Sequence, residues 1–451
     1  MKADGHCGLG ARPGRALSAT AYTACLMQSS LPTLLLTLVF AAVLVASLLT
    51  RLWLSTRQAR HVARHRHAVP PAFAQTVSLA AHQRAAGYTL AKLRFGLVML
   101  AVEAAVLLGW TLLGGLDALN AALRDATLPA LGPLGYQLCL IGAFALIGGL
   151  IDLPFSAWHT FGLEQRHGFN RMTPGLFAAD LLKGVVLAAV LGLPIAALVL
   201  WLMGAAGSLW WLWAWGAWVG FMLLIQWLFP TVIAPLFNTF EPLQDAQLRQ
   251  RVESLMQRCG FQAKGLFVMD GSRRSAHANA YFTGFGSAKR VVFFDTLLKT
   301  LSPGEVEAVL AHELGHFRHR HVMKRMLALF ALSLAAFALL GWLSGQAWFY
   351  AGLGVQPNLA APNDALALLL FVMAGPVFAF FVSPVFASLS RRHEYQADAY
   401  ACAQASGRDL AGALLKLYED NASTLTPDPV YVRFYYSHPP ATERLAAMQP
   451  A

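Results

Sequence analysis

Apolar residues are gathered along the chain into runs that are long enough to cross a lipid bilayer. A helix that spans the bilayer core needs about 20 predominantly apolar residues. Seven such runs, which we predict to be transmembrane helices, lie at residues 31–50, 95–116, 134–151, 184–203, 209–229, 326–350 and 365–389. The pattern therefore predicts a mainly α-helical polytopic membrane protein. The first run is too long for a signal peptide and lacks a small-residue cleavage site.

The polar segment after the fifth run predicts a small α/β region. Residues 247–259 repeat apolar positions at helical spacing, and residues 266–269 and 291–294 have the pattern of short strands. The segment 302–305, Ser-Pro-Gly-Glu, has the form of a capping box with proline at the first helical position. A helix is therefore expected to begin there.

Hydrophobic and polar segments divide the chain into five predicted regions. Two of the polar regions are expected to lie on one side of the membrane and to carry the chemistry. The five are an N-terminal extension at 1–30, transmembrane helices one to five with their loops at 31–234, a catalytic loop region at 235–322, transmembrane helices six and seven at 323–390, and a C-terminal catalytic region at 391–451. The first 26 residues look unlike a folded segment, so Met27 is an alternative start.

The composition agrees with a membrane protein. Hydrophobic residues make up 57% of the 451 positions and charged residues only 13%, whereas an ordinary soluble domain has about 25% charged residues. This composition excludes disordered, collagen-like and coiled-coil proteins. The five cysteines are far apart in the sequence, so they predict neither a disulfide framework nor a zinc-finger spacing.

The net charge of +11 is concentrated in alternate loops. The loops after the first, third and fifth apolar runs are rich in Lys and Arg, whereas the other loops carry almost none. Positive residues favour the cytoplasmic side of a membrane. We therefore expect the N-terminus outside and the C-terminus and both catalytic regions toward the cytoplasm. The same pattern favours a role of these charges in topology over nucleic-acid binding.

One predicted helix carries a metal-binding motif. His312, Glu313 and His316 form the pattern H-E-x-x-H within the helix that begins near residue 303. Residues four apart lie on one helix face, so both imidazoles can bind one zinc ion, with Glu313 beside the attacking water as general base. The alternative is a structural histidine pair, although only about 0.01 chance matches are expected in a chain of this composition.

A catalytic zinc site also needs a third protein ligand and one open position. The extended motif H-E-x-x-H-x-x-G-x-x-H would need glycine at 319 and histidine at 322, where this chain has His319 and Val322. That class of site is therefore excluded. His319 and His321 are expected to face solvent or lipid headgroups rather than the metal.

A later helix offers the third ligand. Glu394 and Asp398 are four residues apart and share a helix face. We expect Glu394 to bind the metal and Asp398 to accept a hydrogen bond from a ligand histidine, which fixes its tautomer. The alternative is that both are surface charges at the mouth of the seventh span. Two imidazoles and one carboxylate suit one Zn²⁺ per chain best, although cobalt or manganese can bind such a set.

Glu103 is the single charged residue of the second apolar run. A carboxylate inside a membrane span usually faces a water-filled cavity or a polar partner. Two interpretations stay open, a hydrated chamber or an interhelical hydrogen bond in the protonated state. Neither assigns a catalytic role to Glu103.

Several motifs, which follow one another over most of the chain, resemble those of a known family. They are 163–170 (LEQRHGFN), 235–243 (PLFNTFEPL), 275–285 (SAHANAYFTGF), the H-E-x-x-H helix, 394–398 (EYQAD), and 437–440 (SHPP) with Glu443 and Arg444. In these motifs the chain resembles the integral-membrane zinc metalloproteases typified by CAAX prenyl protease 1. The resemblance implies a barrel of seven long helices around a water-filled chamber that the protease site faces.

The same resemblance implies roles for individual residues. It implies zinc held by the two motif histidines and Glu394, with Glu313 activating water. Asn279, on an extended segment, would hydrogen-bond the substrate backbone, His438 would stabilise the oxyanion, and Arg444 would lie close by. An imidazole or a cation is the donor that a tetrahedral oxyanion needs, although a Ser-His-Pro-Pro turn can equally be a structural bend.

Three functions stay open from the sequence. The first, which the resemblance implies, is a membrane zinc endopeptidase that processes C-terminal CAAX-type peptides. The second is a general quality-control zinc protease acting on membrane-associated proteins. The third is a transporter or channel with a vestigial metal site, against which the complete ligand set argues. The Ala-rich composition indicates a bacterial inner-membrane protein, and bacteria are not expected to prenylate such substrates.

Overall fold

The computed structural model describes residues 19–261, 265–283 and 290–448. Within these ranges the fold is mainly helical, with one small sheet in the polar part of the chain. Residues 1–18 of the predicted N-terminal extension lie outside the described residues. So do Gly284 and Phe285 at the end of the 275–285 motif.

Membrane-spanning helices form the larger part of the molecule, as predicted. The described part of the chain has seven helices that are long and apolar enough to span a bilayer. They are Leu31–His65, Leu79–Trp110, Gly115–Glu164, Pro174–Ala205, Gly207–Phe237, His321–Leu343 and Asp364–Gln404. The polytopic fold is therefore confirmed. Most of these helices are longer than the predicted runs because the backbone stays helical beyond the apolar stretch.

The elements are named here in chain order. The first half contains α1 (Ala19–His65), α2 (Leu79–Trp110), α3 (Gly115–Trp158), α4 (Pro174–Ala205) and α5 (Trp210–Leu228). The polar region contains α6 (Ala234–Phe237), β1 (Phe240–Pro242), α7 (Ala246–Arg258), β2 (Gly265–Met269), β3 (Ala280–Thr283), β4 (Arg290–Phe294), α8 (Asp295–Thr300) and α9 (Pro303–Arg318). The last part contains α10 (His321–Leu343), α11 (Ala347–Gly352), α12 (Asp364–Ala379), α13 (Ser383–Gln404), α14 (Gly407–Asp420), α15 (Pro429–Tyr435) and α16 (Ala441–Met448).

Two of the predicted spans extend beyond the end of the helix that the structure shows. The predicted run 95–116 crosses the end of α2 at Trp110 and the turn at Gly114, whose φ is 78°. The predicted run 326–350 likewise crosses the end of α10 at Leu343. Neither turn contains a charged residue, and both are followed by further apolar residues, so the hydropathy pattern does not locate the breaks.

The polar region has a four-stranded sheet in the order β1-β2-β4-β3. β2 and β4 are parallel, and each outer strand is antiparallel to its neighbour. The predicted strands at 266–269 and 291–294 are confirmed, whereas the short outer strands β1 and β3 were not predicted. α7 buries the apolar face that its spacing predicted. β3 forms one edge of the sheet.

A second apolar core, separate from the core among the spans, holds α9 in place. Leu310 and Leu314 of α9 are 2% and 0% exposed and pack with residues of α7, α14 and the sheet. Burying a leucine side chain stabilises a fold by about 1.5–3 kcal/mol. Because these leucines fix one face of α9, the opposite face, which carries the motif histidines, is held toward α13.

Candidate active site

The start of α9 is fixed by the predicted capping box. Ser302 Oγ accepts a hydrogen bond from Glu305 N at 3.4 Å, and Glu305 Oε2 accepts one from Ser302 N at 2.7 Å. Lys416 Nζ of α14 also donates to Glu305 Oε2 at 2.7 Å. Burial raises the pKa of Glu305, but the hydrogen bonds from Lys416 and Ser302 outweigh burial and hold it below its usual value. The helix start is therefore capped by an ionised carboxylate.

Three side chains from α9 and α13 converge on one point. His312 Nε2 lies 3.2 Å from His316 Nε2, and each of these nitrogens lies 3.4 Å from an oxygen of Glu394. Within the described residues, this is the group of histidines and acids whose geometry suits a metal ion. The structure therefore brings together the three predicted ligands.

The donor chemistry of this group fits a zinc ion. His312 Nδ1 is hydrogen-bonded to Asp398, which leaves a lone pair on Nε2 facing Glu394 Oε2. That oxygen is buried and has no hydrogen-bond partner in the described ranges. Facing lone pairs repel one another unless a cation lies between them. Tetrahedral ligands at the usual zinc distances of about 2.0–2.1 Å are about 3.3–3.4 Å apart, close to the separations found here.

The two predicted ligand histidines have opposite pKa shifts. Burial lowers the pKa of His312, but the hydrogen bond to Asp398 and the nearby carboxylate of Glu394 outweigh burial and raise it to about 9. Burial and the neighbouring His312 lower the pKa of His316 to about 4. The two shifts together favour one positive charge beside the carboxylates of Glu394 and Asp398.

Asp398 lies behind the predicted ligands and contacts one of them. It accepts hydrogen bonds from His312 Nδ1 at 2.8 Å and from Arg444 at 2.8 and 2.6 Å. Asp398 is 2% exposed and Arg444 8% exposed. Arg444 borders the chamber, but its guanidinium is bonded to Asp398, so the geometry favours a supporting position over direct contact with substrate. Removing one partner of a buried ion pair of this kind lowers the free energy of unfolding by about 3–5 kcal/mol.

Glu313 is next to the group of three predicted ligands but does not belong to it. It is half-buried and lines a cavity of about 930 Å³, and burial raises the pKa of its carboxyl group. Asn279, His438 and Glu103 line the same cavity. The cavity is the chamber that the resemblance implied, and Glu103 is one of its lining residues, which favours the first of the two interpretations of Glu103.

His438 extends from the Ser-His-Pro-Pro turn into the chamber. Its Nε2 lies 3.5 Å from Glu394 Oε1, and its Nδ1 is hydrogen-bonded to Ser437 Oγ at 3.0 Å. The side chain is 62% exposed. With Nδ1 bonded to Ser437, Nε2 is the ring nitrogen that lies beside the predicted ligand group, and the oxyanion role of His438 stays a prediction.

The segment that carries Asn279 is held in an extended form at the edge of the sheet. The carbonyl of Asn279 accepts a hydrogen bond from Phe294 N at 3.0 Å, one residue before β3 begins. Asn421 holds the preceding residue from the other side: Ala278 N donates to Asn421 Oδ1 at 3.1 Å, and Asn421 Nδ2 donates to Ala278 O at 3.4 Å. Asn279 is therefore exposed on a rigid backbone.

Two further residues support this segment and belong to motifs that only the resemblance singled out. His277 stacks on the ring of Phe169, with centroids 4.3 Å apart, and its Nε2 lies 3.5 Å from Glu164 Oε2. Neither these contacts nor Asn421 could be foreseen, because no local spacing predicts which distant polar side chains will meet.

The expectation for His321 is wrong. It was predicted to face solvent or headgroups, but it is 4% exposed. Its Nδ1 lies 3.0 Å from His316 Nδ1, and its Nε2 lies 2.8 Å from Gln396 Oε1. The reason is the turn at Arg320, whose φ of 56° brings the first residue of α10 back beside α9. His319 lies outside the group of predicted ligands, as expected.

Gly315 allows α9 and α13 to approach closely. A Cβ at this position would lie 2.9 Å from Ala397 Cα, 3.1 Å from Ala397 O and 3.2 Å from Tyr400 Cβ. Two of these atoms belong to the backbone and cannot rotate away. The close approach brings Glu394 within reach of both motif histidines.

Gly315→Ala is expected to force these helices apart. Overpacking of this kind costs about 1–3 kcal/mol, and displacing Glu394 should also weaken metal binding. Thermal unfolding in detergent and zinc titration measure the two effects. Gly148→Ala is the matched control, because a Cβ at that helical position meets no atom within 4 Å. Equal unfolding temperatures and zinc affinities for the two variants would contradict this account of Gly315.

Comparison with known proteins agrees with this geometry over nearly the whole chain. Residues 58–239 match the family described as "CAAX prenyl protease N-terminal, five membrane helices". Residues 242–451, which contain the ligand group, match "Peptidase family M48". The chain belongs to the M48 peptidase family. It is therefore a membrane metalloendopeptidase, and the predicted resemblance is confirmed.

Individual M48 relatives share most of their length with this chain. The CAAX prenyl protease 1 homolog of Arabidopsis thaliana is 36% identical over 72% of this chain and 77% of its own length. The Homo sapiens homolog is 31% identical over 91% and 95%. The crystal structure of S. mikatae Ste24p superposes with a TM-score of 0.85 at 29% identity, covering 92% of this chain and 99% of that protein. This M48 peptidase is therefore similar to these proteins in fold as well as in sequence.

Proposed function

We propose that this M48 peptidase is a zinc endopeptidase that cleaves the C-terminal segment of CAAX-type substrates inside its chamber. The observation that carries the proposal is the chamber itself. One cavity is lined by two of the three ligands, the acid Glu313, the exposed Asn279 and the imidazole of His438. The printed names of the relatives support the substrate class, since they are CAAX prenyl proteases.

The residues around the chamber have different roles in peptide hydrolysis. His312, His316 and Glu394 would hold the zinc ion, which when bound supplies Lewis acidity. The Glu313 carboxylate takes a proton from the attacking water and returns it to the leaving amine nitrogen. The imidazole of His438 donates a hydrogen bond to the developing oxyanion.

Supporting residues keep these groups in position. Asp398 accepts from the Nδ1–H of His312 and fixes its tautomer, while Arg444 holds Asp398 in a bidentate pair. The Asn279 side chain would hydrogen-bond the backbone of a peptide lying along the edge of the sheet. Main-chain pairing at a sheet edge is a common way to bind an extended peptide.

We also propose that the N-terminus lies outside and the catalytic regions face the cytoplasm of a bacterial inner membrane. The Lys- and Arg-rich loops support this orientation. Labelling of single cysteines placed in the loop between α4 and α5 tests it. Modification of that loop by an impermeant reagent from the cytoplasmic face only would contradict the proposed orientation.

The substrate class is tested with two matched peptides and the purified full-length protein in detergent. One peptide is farnesylated at a C-terminal CAAX cysteine, the other is bare, and Glu313→Ala is the inactive control. Cleavage of the farnesylated peptide alone supports CAAX-type processing. Equal cleavage of both peptides would replace it with broader, quality-control proteolysis. Cleavage of neither by zinc-loaded protein would contradict both, and solute flux in liposomes without zinc would favour the transporter.

A further inference from the structure

Each of the two ligand histidines is hydrogen-bonded through its second nitrogen, but the partners differ. His312 uses Nδ1 to reach the carboxylate of Asp398 at 2.8 Å. His316 uses Nδ1 to reach another imidazole nitrogen, Nδ1 of His321, at 3.0 Å. His321 in turn contacts Gln396 Oε1 through Nε2 at 2.8 Å. The contacts therefore run from the predicted ligand His316 to the imidazole of His321, and from there to the side-chain amide of Gln396.

The chemistry of these atoms fixes where each hydrogen lies. Two Nδ1 atoms in contact share one hydrogen, so one donates and the other accepts. His316 Nε2 faces the ligand group and carries a lone pair, so the hydrogen of His316 is on Nδ1. His321 Nδ1 must then accept, which places the hydrogen of His321 on Nε2. Only a hydrogen-bond acceptor can lie opposite that Nε2–H, and Gln396 Oε1 is an acceptor.

We propose that His321 is a positioning residue for the metal ligand His316, and that Gln396 holds His321 in the tautomer this role requires. His321 is then the counterpart of Asp398 on the other ligand histidine. Groups that accept from a ligand histidine orient its ring and set its tautomer. A neutral acceptor donates less electron density through the ring than a carboxylate does. His316 is therefore backed by a weaker acceptor than His312.

The placement of Gln396 supports this assignment. Gln396 lies on α13 between Glu394, a ligand, and Asp398, the acceptor for the other ligand histidine. One helix thus supplies a predicted ligand, the acceptor for His312 and the acceptor for His321. Two other imidazoles stack on the His321 ring: His393 at 4.0 Å and His319 at 5.4 Å between centroids. Stacking restrains the orientation of the His321 ring but supplies no hydrogen bond to His316.

His321→Phe tests the proposal because it keeps an aromatic ring and removes both hydrogen bonds. We expect zinc affinity to fall by about 10- to 100-fold, and the visible absorption of the Co²⁺-substituted protein to change. His321→Asn offers an amide oxygen to His316 and should restore part of the affinity. His319→Phe, which alters the stacking neighbour alone, should bind zinc as the parent chain does.

Gln396→Leu separates a positioning role from a general loss of folding. It keeps both rings and removes only the group that selects the tautomer, so a severalfold loss of zinc affinity is expected with an unchanged unfolding temperature of the metal-free protein. Parent-like zinc affinity and Co²⁺ spectra in both His321→Phe and Gln396→Leu would overturn the proposal.

This inference rests on the ligand set of the proposed function, and the two can fail separately. If Glu394→Ala loses zinc while His321→Phe binds it normally, the ligand set stands and the role of His321 is wrong. If Glu394→Ala keeps normal zinc stoichiometry, the ligand set itself is wrong.

Discussion

Replacement of Glu313 by glutamine is expected to leave zinc bound and to lower the rate of peptide hydrolysis by roughly 10²- to 10⁴-fold, the usual contribution of a general base. Glu313 lines the chamber beside His312 but does not belong to the group of three ligands. Glutamine has nearly the same shape, so the chamber and the ligands should be undisturbed. What is lost is the carboxylate that accepts the proton of the attacking water.

The measurement pairs the kcat/KM of a cleaved peptide with the zinc content of the same preparation. Glu253→Gln is the matched control, because Glu253 is an exposed carboxylate on α7 outside the chamber. Its activity and zinc content should equal those of the parent chain. If Glu313→Gln cleaved within a fewfold of the parent rate, another group would be the base.

Replacement of Glu394 by alanine is expected to abolish stable zinc binding, and hydrolysis with it. Glu394 is 3% exposed and supplies the only carboxylate among the three predicted ligands within the described residues. Two imidazoles would remain, and the affinity should fall by more than the about 10- to 100-fold that follows loss of a supporting group. A metal ion that binds only the folded state stabilises that state, and tighter binding stabilises it more. Once zinc no longer binds, the unfolding temperature of the variant should not respond to added zinc.

Zinc stoichiometry after dialysis and the unfolding temperature with and without zinc measure this effect. Glu253→Ala, the alanine version of the control on α7, should retain one zinc per chain. One zinc per chain in Glu394→Ala would show that the third ligand lies elsewhere. His438, whose Nε2 is 3.5 Å from Glu394 Oε1, would be the first residue to test.

Much of the site could be predicted because it depends on local rules. Helical spacing places His312 and His316 on one face, and the capping box fixes where that helix begins. The same rule pairs Glu394 with Asp398. The pattern of charged loops placed both helices on the same side of the membrane, and the structure brings them together.

The unpredicted parts depend on turns and distant contacts. His321 was assigned to solvent because nothing in the local pattern shows that the chain reverses at Arg320. Asn421 meets Ala278 across more than a hundred residues of sequence. The ends of the second and sixth spans were missed because the turns there are short, uncharged and followed by further apolar residues, so the hydrophobicity pattern continues across them.

The edge strand beside Asn279 has a consequence for selectivity. Main-chain hydrogen bonds at a sheet edge are the same for every extended peptide, whatever side chains it carries. A protease that held its substrates mainly in this way would read little of their sequence. Discrimination would then depend on which chains can enter the chamber. The residues that line the chamber would select the substrates, and the metal centre would hydrolyse the chains that reach it.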